Sequence, residues 1–252
     1  IYQKSMFRSL FLIFFLFWNF QIYAQIRSGE IEYAIEIEEL PEVKPGENKD
    51  VIQKMYKMSK DYVAQMKAVL KFDRSKALFK LEEVMEIDRK PYYRFSKALV
   101  GLDKVYLIEA DANKLVIQQE DFMTMHLVKD KTKGAGEWEV SSASKMIDGF
   151  KVFKASTTEV TENSKGKFEH EVIAWFAPEL SFGYGPFGYG GLPGLILELQ
   201  INRSYLPMTY KLKSIKFSDK ALEIQVLEGK EISREALDAL YREAAANMMK
   251  SG

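Results

Sequence analysis

Residues 181–200 read SFGYGPFGYGGLPGLILELQ. Glycines stand at 183, 185, 188, 190, 191 and 194, prolines at 186 and 193, and aromatics at Phe182, Tyr184, Phe187 and Tyr189. Glycine is the low-strain residue where a chain takes a positive φ or passes close to other atoms. Pro186 and Pro193 fix φ and remove donors, so neither joins a sheet ladder readily. Pro193-Gly194 reads as a turn. Beyond it, Leu195, Leu197, Leu199 and Ile201 alternate with Ile196, Glu198 and Gln200, and this period of two predicts a strand. The stretch is a structured corner feeding an inward-facing strand. Tyr184, Phe187, Tyr189, Leu192 and Leu195 are the candidates to line an apolar ligand groove, and the plainer reading is a corner that only shapes the fold. A phosphate-binding loop is excluded, since it needs Gly-Lys-Ser/Thr at a helix start and no basic residue occurs in this stretch.

Upstream, Phe150–Thr158 and Glu169–Phe176 read as strands joined by a hairpin at Asn163-Ser164-Lys165-Gly166. Trp175 and Ile173 are expected to face inward and His170 to be solvated. Downstream, Met208–Phe217 and Leu222–Leu227 flank a turn at Ser218-Asp219-Lys220. Ser233 is expected to cap a terminal helix reaching about Met249, with Leu237, Leu240, Tyr241 and Ala244 on its apolar side.

Gly185-Pro186 followed by Gly191-Leu192-Pro193-Gly194-Leu195-Ile196 resembles the signature of the GLPGLI family, secreted proteins known mainly from Bacteroidota. Ala174-Trp175-Phe176 resembles that family's strand ahead of the motif, and Gly149-Phe150-Lys151-Val152-Phe153-Lys154-Ala155 resembles a second element. Many relatives carry a cysteine there and this chain has none. The resemblance implies an exported protein and supplies no reaction.

In the first half, Ile31, Tyr33, Ile35 and Ile37 alternate with Glu30, Glu32, Glu36 and Glu38, which predicts a half-buried antiparallel strand over Ser28–Glu39. After a polar loop at Pro41–Asp50, a helix capped by Asn48 or Asp50 is expected to run to about Met66, with Ile52, Met55, Tyr56, Ser59, Tyr62, Val63 and Met66 on one face. Short strands follow at Ala68–Phe72, Lys76–Val84, Tyr92–Lys97, Lys104–Glu109, Lys114–Gln119 and Phe122–Lys129. Breaks at Asp73-Arg74-Ser75, Lys90-Pro91, Val100-Gly101 and Asp111-Ala112-Asn113 separate them. His126 is expected to be a hydrogen-bonded histidine in an apolar strand. After the loop Lys131–Gly136, a short strand resumes at Glu137–Val140.

The N-terminus reads as a signal peptide over residues 1–24. Lys4 and Arg8 are its basic region, Leu10–Trp18 its apolar core, and Gln25 the first mature residue. The chain opens on Ile1, and Met6 would give a tidier start. The apolar core is short for a membrane span, so no stable transmembrane anchor is expected after cleavage. The chain has 252 residues, with Lys+Arg 36 against Asp+Glu 36, two histidines and no cysteine. This balance lacks the basic excess that nucleic acid favours. Disulfides, thiolate metal sites and a cysteine nucleophile are excluded, as is a three-histidine metal site. No cofactor motif occurs and no metal site is expected.

Ten to twelve strands against two main helices predict a mainly β (α+β) chain. The expected fold is one large curved antiparallel sheet or half-barrel in a single domain over 25–252, resembling lipoprotein carriers in its order of elements. The favoured function is non-enzymatic binding of a lipid or other hydrophobic ligand in the periplasm, at the outer membrane or outside the cell. A cell-envelope protein-interaction module is the second reading. The third is a carboxylate-dependent hydrolase in which Glu179 pairs with another carboxylate.

Overall fold

The structure is a computed structural model that describes residues 26–37, 49–82, 91–110, 113–163, 166–203 and 206–250. The signal-peptide reading and the Pro41–Asn48 part of the polar loop, with the Asn48 cap, lie outside the described residues. Among the described residues the architecture is mainly β: one twelve-stranded, mostly antiparallel open sheet with three helices. The strands are β1 (Ser28–Ile37), β2 (Lys67–Asp73), β3 (Lys76–Glu82), β4 (Val105–Glu109), β5 (Lys114–Asp121), β6 (Thr124–Lys131), β7 (Glu139–Ile147), β8 (Phe150–Asn163), β9 (Gly166–Ala177), β10 (Leu195–Arg203), β11 (Leu206–Ser218) and β12 (Lys230–Ser233). The helices are α1 (Lys49–Val63), α2 (Pro91–Leu99) and α3 (Arg234–Lys250).

Their order across the sheet is β12-β6-β5-β4-β3-β2-β1-β11-β10-β9-β8-β7. Strand β1 sits centrally because it pairs antiparallel with both β2 and β11, joining two antiparallel meanders. Its alternation is realised: Ile31, Tyr33, Ile35 and Ile37 are buried, while Glu32 and Glu36 meet Lys213 and Lys211 on the other face at 2.7 and 2.5 Å. Exposed pairs of this kind add little stability; they keep one face of the sheet solvated.

The apolar face is concave. Across a flat sheet, β4 and β11 stand four strand spacings apart, roughly 19 Å. Yet the Phe187 ring lies 5.5 Å from Tyr106 of β4 and 4.7 Å from Tyr210 of β11. Side chains stand roughly perpendicular to a sheet, so one ring touches both only if the sheet bends around it.

Four expectations are corrected. Tyr92–Lys97 is part of helix α2, not a strand: Pro91 supplies a helix-compatible φ at the start. Tyr93, Ser96 and Val100 are buried at i, i+3, i+7 spacing, while Tyr92 and Phe95 stay exposed. Tyr93 meets Tyr62 of α1 edge-on at 6.1 Å. Leu222–Leu227 is also no strand. From β11 to β12 the chain crosses seven strand spacings, roughly 34 Å, and the eleven residues Asp219–Gly229 reach about 36 Å at full stretch. A strap this taut runs across the strands, and Ile224 and Leu227 pack on Leu78 and Val116. It delivers β12 parallel to β6, the one parallel pairing among the described strands.

Trp175 lies on the face opposite the core, with Lys145 4.3 Å above its ring, and Val172, Ala174 and Phe176 are the inward residues of β9. His170 shares their parity and is therefore buried, its Nε2 3.0 Å from the Thr161 hydroxyl. His126 is buried on β6 with Nδ1 3.5 Å from Asp121. Ser233 caps α3 as expected, accepting from Ala236 N–H at 3.2 Å. Of that helix's apolar side, Leu237 alone is fully buried.

Candidate functional site

The aromatic-glycine loop between β9 and β10 folds back into the hollow. Pro186–Gly188 form one 3-10 turn, in which Phe187 takes φ 57°. That left-handed conformation is strained for a bulky residue. It is held because the ring is wedged among Phe79, Tyr106 and Tyr210, with centroids 4.8, 5.5 and 4.7 Å away.

Backbone bonds clamp the turn on both sides. Lys133 N–H donates to Gly188 O at 2.9 Å, Gly190 N–H to Lys133 O at 3.0 Å, and the Trp138 indole to Gly190 O at 2.8 Å. Leu195 and Ile196 N–H groups donate to Leu180 and Tyr184 carbonyls, each at 2.9 Å. Tyr33 of β1 donates its hydroxyl to Ile196 O at 2.6 Å from full burial. At Gly194 a Cβ would lie 2.2 Å from the Ala177 carbonyl oxygen, so only glycine allows this approach.

The five residues expected to line a groove are all buried, whereas Gly191 and Pro193 of the motif are exposed. Tyr184, Phe187, Tyr189, Leu192 and Leu195 expose at most 5 % of their surface. Their side chains and those of the motif residues Pro186 and Ile196 belong to the packed interior; Gly185 lies against Ile196. Of the five candidates, Tyr184 is the one that lines the cavity described below.

Beside the loop sits an ion cluster that sequence spacing does not reveal, because its members come from three distant segments. Glu159 of β8 meets Lys133 at 3.0 Å and Arg203 of β10 at 3.1 Å. Burial alone would raise the Glu159 carboxyl; the two cations outweigh it and hold it at about 2. Burial, with Glu159 next, pushes the Tyr189 phenol well above its ordinary range. Because the folded carboxyl titrates below its unfolded value, the cluster stabilises fully above about pH 5 and is lost as pH falls toward 2. Glu159→Gln is expected to cost about 2–3 kcal/mol at pH 7. Urea unfolding at several pH values should show the gap between variant and parent closing between pH 5 and pH 2. A gap that does not change over this window would refute this reading.

The open space is a cavity of about 1110 Å³ on the outer side of the loop. It lies between residues 178–184 and the turns that follow β2, β4 and β6, represented by Arg74, Ala110 and Thr132. Ile26, Ile108, Leu180 and Phe182 supply apolar wall. Among the described lining residues Arg74 is the one cation and Glu179 the one carboxylate, and Glu179 accepts from Lys151 N–H at 3.3 Å. In the sequence, Arg74 and Asn113 read only as turn residues. Nothing in their local pattern says that two turns and the loop frame one space. No group of three or more potential metal ligands occurs among the described residues.

Fold and site together define a mainly β protein with a plugged concave face and a lateral cavity. Residues 138–198, which contain the loop, match the family model described as "Protein of unknown function (Porph_ging)". No curated protein matches the chain. Among solved structures it is similar to PNGF-II in the C2 crystal form, with TM-score 0.54, 17 % identity, and coverage of 85 % of this chain and 32 % of that one. The P21 form gives TM-score 0.50, 18 % identity, 85 % and 33 %. The chain thus spans about a third of PNGF-II, and the likeness is one of fold. LprF from Mycobacterium bovis aligns at TM-score 0.27 and 9 % identity over 78 % of this chain and 88 % of its own.

Proposed function

We propose that this is an exported, non-enzymatic binding protein that takes a hydrophobic ligand into the lateral cavity. The cavity itself carries the reading. Its volume, about 1110 Å³, suits a drug-sized or larger ligand, and apolar side chains furnish much of its wall. The loop aromatics, in this reading, build its floor and are not its lining. The GLPGLI-like motif lies within the region matched by the family model, which supports treating the two as one family. The hydrolase reading draws less support, because Glu179 has no second carboxylate beside it among the described lining residues.

An envelope interaction module is the second reading. Edge strand β7 favours it: Val140 and Met146 are 57 % and 63 % exposed there. The register shift between Val140 and Ser144, however, interrupts the edge that a partner strand would need.

Native mass spectrometry of the protein, before and after organic extraction, tests the cavity. The expected result is an extractable apolar adduct, diminished in an Ala110→Trp variant whose indole intrudes on the space. A parent protein that takes up no apolar molecule, or a variant that binds as well as the parent, would sink the proposal.

A further inference from the structure

We propose that α3 is a lid hinged at Ser233, which opens while the sheet stays folded and uncovers a polar end of the concave face. This goes beyond the cavity reading and does not depend on it. The loop aromatic Phe187 fills the hollow beside β4 and β11. The inner face of β5 and β6, by contrast, ends in Gln119, Asp121 and His126, all buried. Tyr241 of α3 lies over them. Its hydroxyl donates to Asp121 Oδ1. Gln119 Nε2 donates to the same carboxylate at 3.0 and 2.8 Å and to the Tyr241 oxygen at 3.4 Å. Burial, then the Asp121 bond, push the Tyr241 phenol up to about 12, so it stays a donor at neutral pH.

The closed arrangement is incomplete. Gln119 Oε1 and His126 Nδ1 are buried and bond to nothing among the described residues, Nδ1 lying 3.5 Å from Asp121. A half-satisfied buried network costs more than an apolar one, and water reaching these atoms recovers that cost. The groups beneath α3 therefore favour its opening, and little opposes it. Leu237 is the one fully buried side chain among the described residues of α3. Arg234 meets Asp130 at 3.2 Å as a part-exposed pair, which adds little stability.

The seat of the lid is strained as well. The β5–β6 hairpin closes through Phe122-Met123, both at positive φ, 51° and 60°. Asparagine and glycine suit such a two-residue turn, and bulky side chains do not. Phe122 meets the Tyr241 ring at 5.6 Å yet stays half exposed, and Met123 is almost fully exposed, so core packing does not account for the pair. Strain of this kind clusters at switch elements. The hinge keeps its own bonds on opening. β12 is paired with β6 as far as Ser233, and the Ser233 hydroxyl caps α3 from within the chain.

Hydrogen exchange of the whole chain at pH 7.5 tests the lid, because a helix of this length frays once detached. Amides 238–244 of α3 are expected to be at least about a hundredfold less protected than amides 31–35 of β1, the mark of a sub-global opening. Tyr241→Phe leaves the Asp121 carboxylate with one donor fewer and should lower α3 protection by about another tenfold, with β1 unchanged. His126→Leu removes one orphaned atom and should raise α3 protection, whereas loss of a histidine that merely supports the fold would lower it. Equal protection of α3 and β1 in the parent, or a Tyr241→Phe variant whose α3 is no less protected, overturns the lid. A His126→Leu variant with β1 unchanged and α3 no better protected overturns the account of why it opens. Should His126→Leu loosen β1 too, the parent and Tyr241→Phe still decide.

Discussion

Phe187→Ala should be among the most damaging single truncations in the chain, lowering stability by about 4 kcal/mol. The ring is buried against Phe79, Tyr106 and Tyr210, from three strands spread across the sheet. Removing it loses the transfer energy of a phenyl group, three ring contacts and the filling of the hollow. Shrinkage of the void is resisted because hydrogen bonds on both sides of the turn clamp the backbone. For a chain of this size the change corresponds to roughly 8–16 °C in Tm. A companion variant isolates the strain. Phe187→Gly loses the same ring but suits φ 57°, so it should be about 1 kcal/mol more stable than the alanine form. Differential scanning calorimetry of the two variants decides the matter. A loss below about 1.5 kcal/mol for alanine would show that the ring is not what holds the loop in place. Glycine no better than alanine would dispose of the strain.

Much of the sheet was legible because its signal is local. The alternation of Ile31, Tyr33, Ile35 and Ile37 with glutamates marks a strand whatever its neighbours are, and the register of β1 confirms which face is inward. Capping by Ser233 is equally local. What failed depended on distant geometry. Leu222–Leu227 has strand-like residues, yet the distance from β11 to β12 leaves the segment no slack to pair. Tyr92–Lys97 carries β-favouring aromatics, and its helical spacing becomes decisive only when α1 offers Tyr62 as a packing surface. The parity of β9 was misjudged by one residue, which exchanged Trp175 for Phe176 and turned His170 inward.

The site divides the same way. The corner at 181–200 announced itself by composition, but the same aromatics could line a hollow or fill it. Sequence holds no term for the empty volume between them. The ring distances place Phe187 as filling. Meanwhile the cavity is framed by Arg74, Ala110 and Thr132, brought together only by sheet order. Glu159, Lys133 and Arg203 are joined likewise.

Gly194→Ala is expected to cost about 3–5 kcal/mol although it adds a single methyl group. Many glycines are sensitive because of a positive φ; Gly191, at φ +81°, is one here. Gly194 is sensitive for a different reason. Its Cβ would stand 2.2 Å from the Ala177 oxygen and 2.8 Å from the Pro178 nitrogen, all backbone. No side-chain rotation relieves that overlap, so strand β9 and the start of β10 must part. Their separation would pull on the bond from Leu195 N–H to Leu180 O, and then on Ile196, which receives Tyr33 and holds Tyr184. The disturbance therefore travels from the corner into the cavity wall. Hydrogen exchange should show faster exchange at Leu195 and Ile196 and at the amides of 180–184, with β2–β6 largely unchanged. Gly136→Ala serves as the control, because although its φ is +82° nothing lies within 4 Å of the added methyl. Strain there should cost about 1 kcal/mol. Equal losses at the two positions would mean that conformational freedom, and not contact with Ala177, explains the glycine at 194.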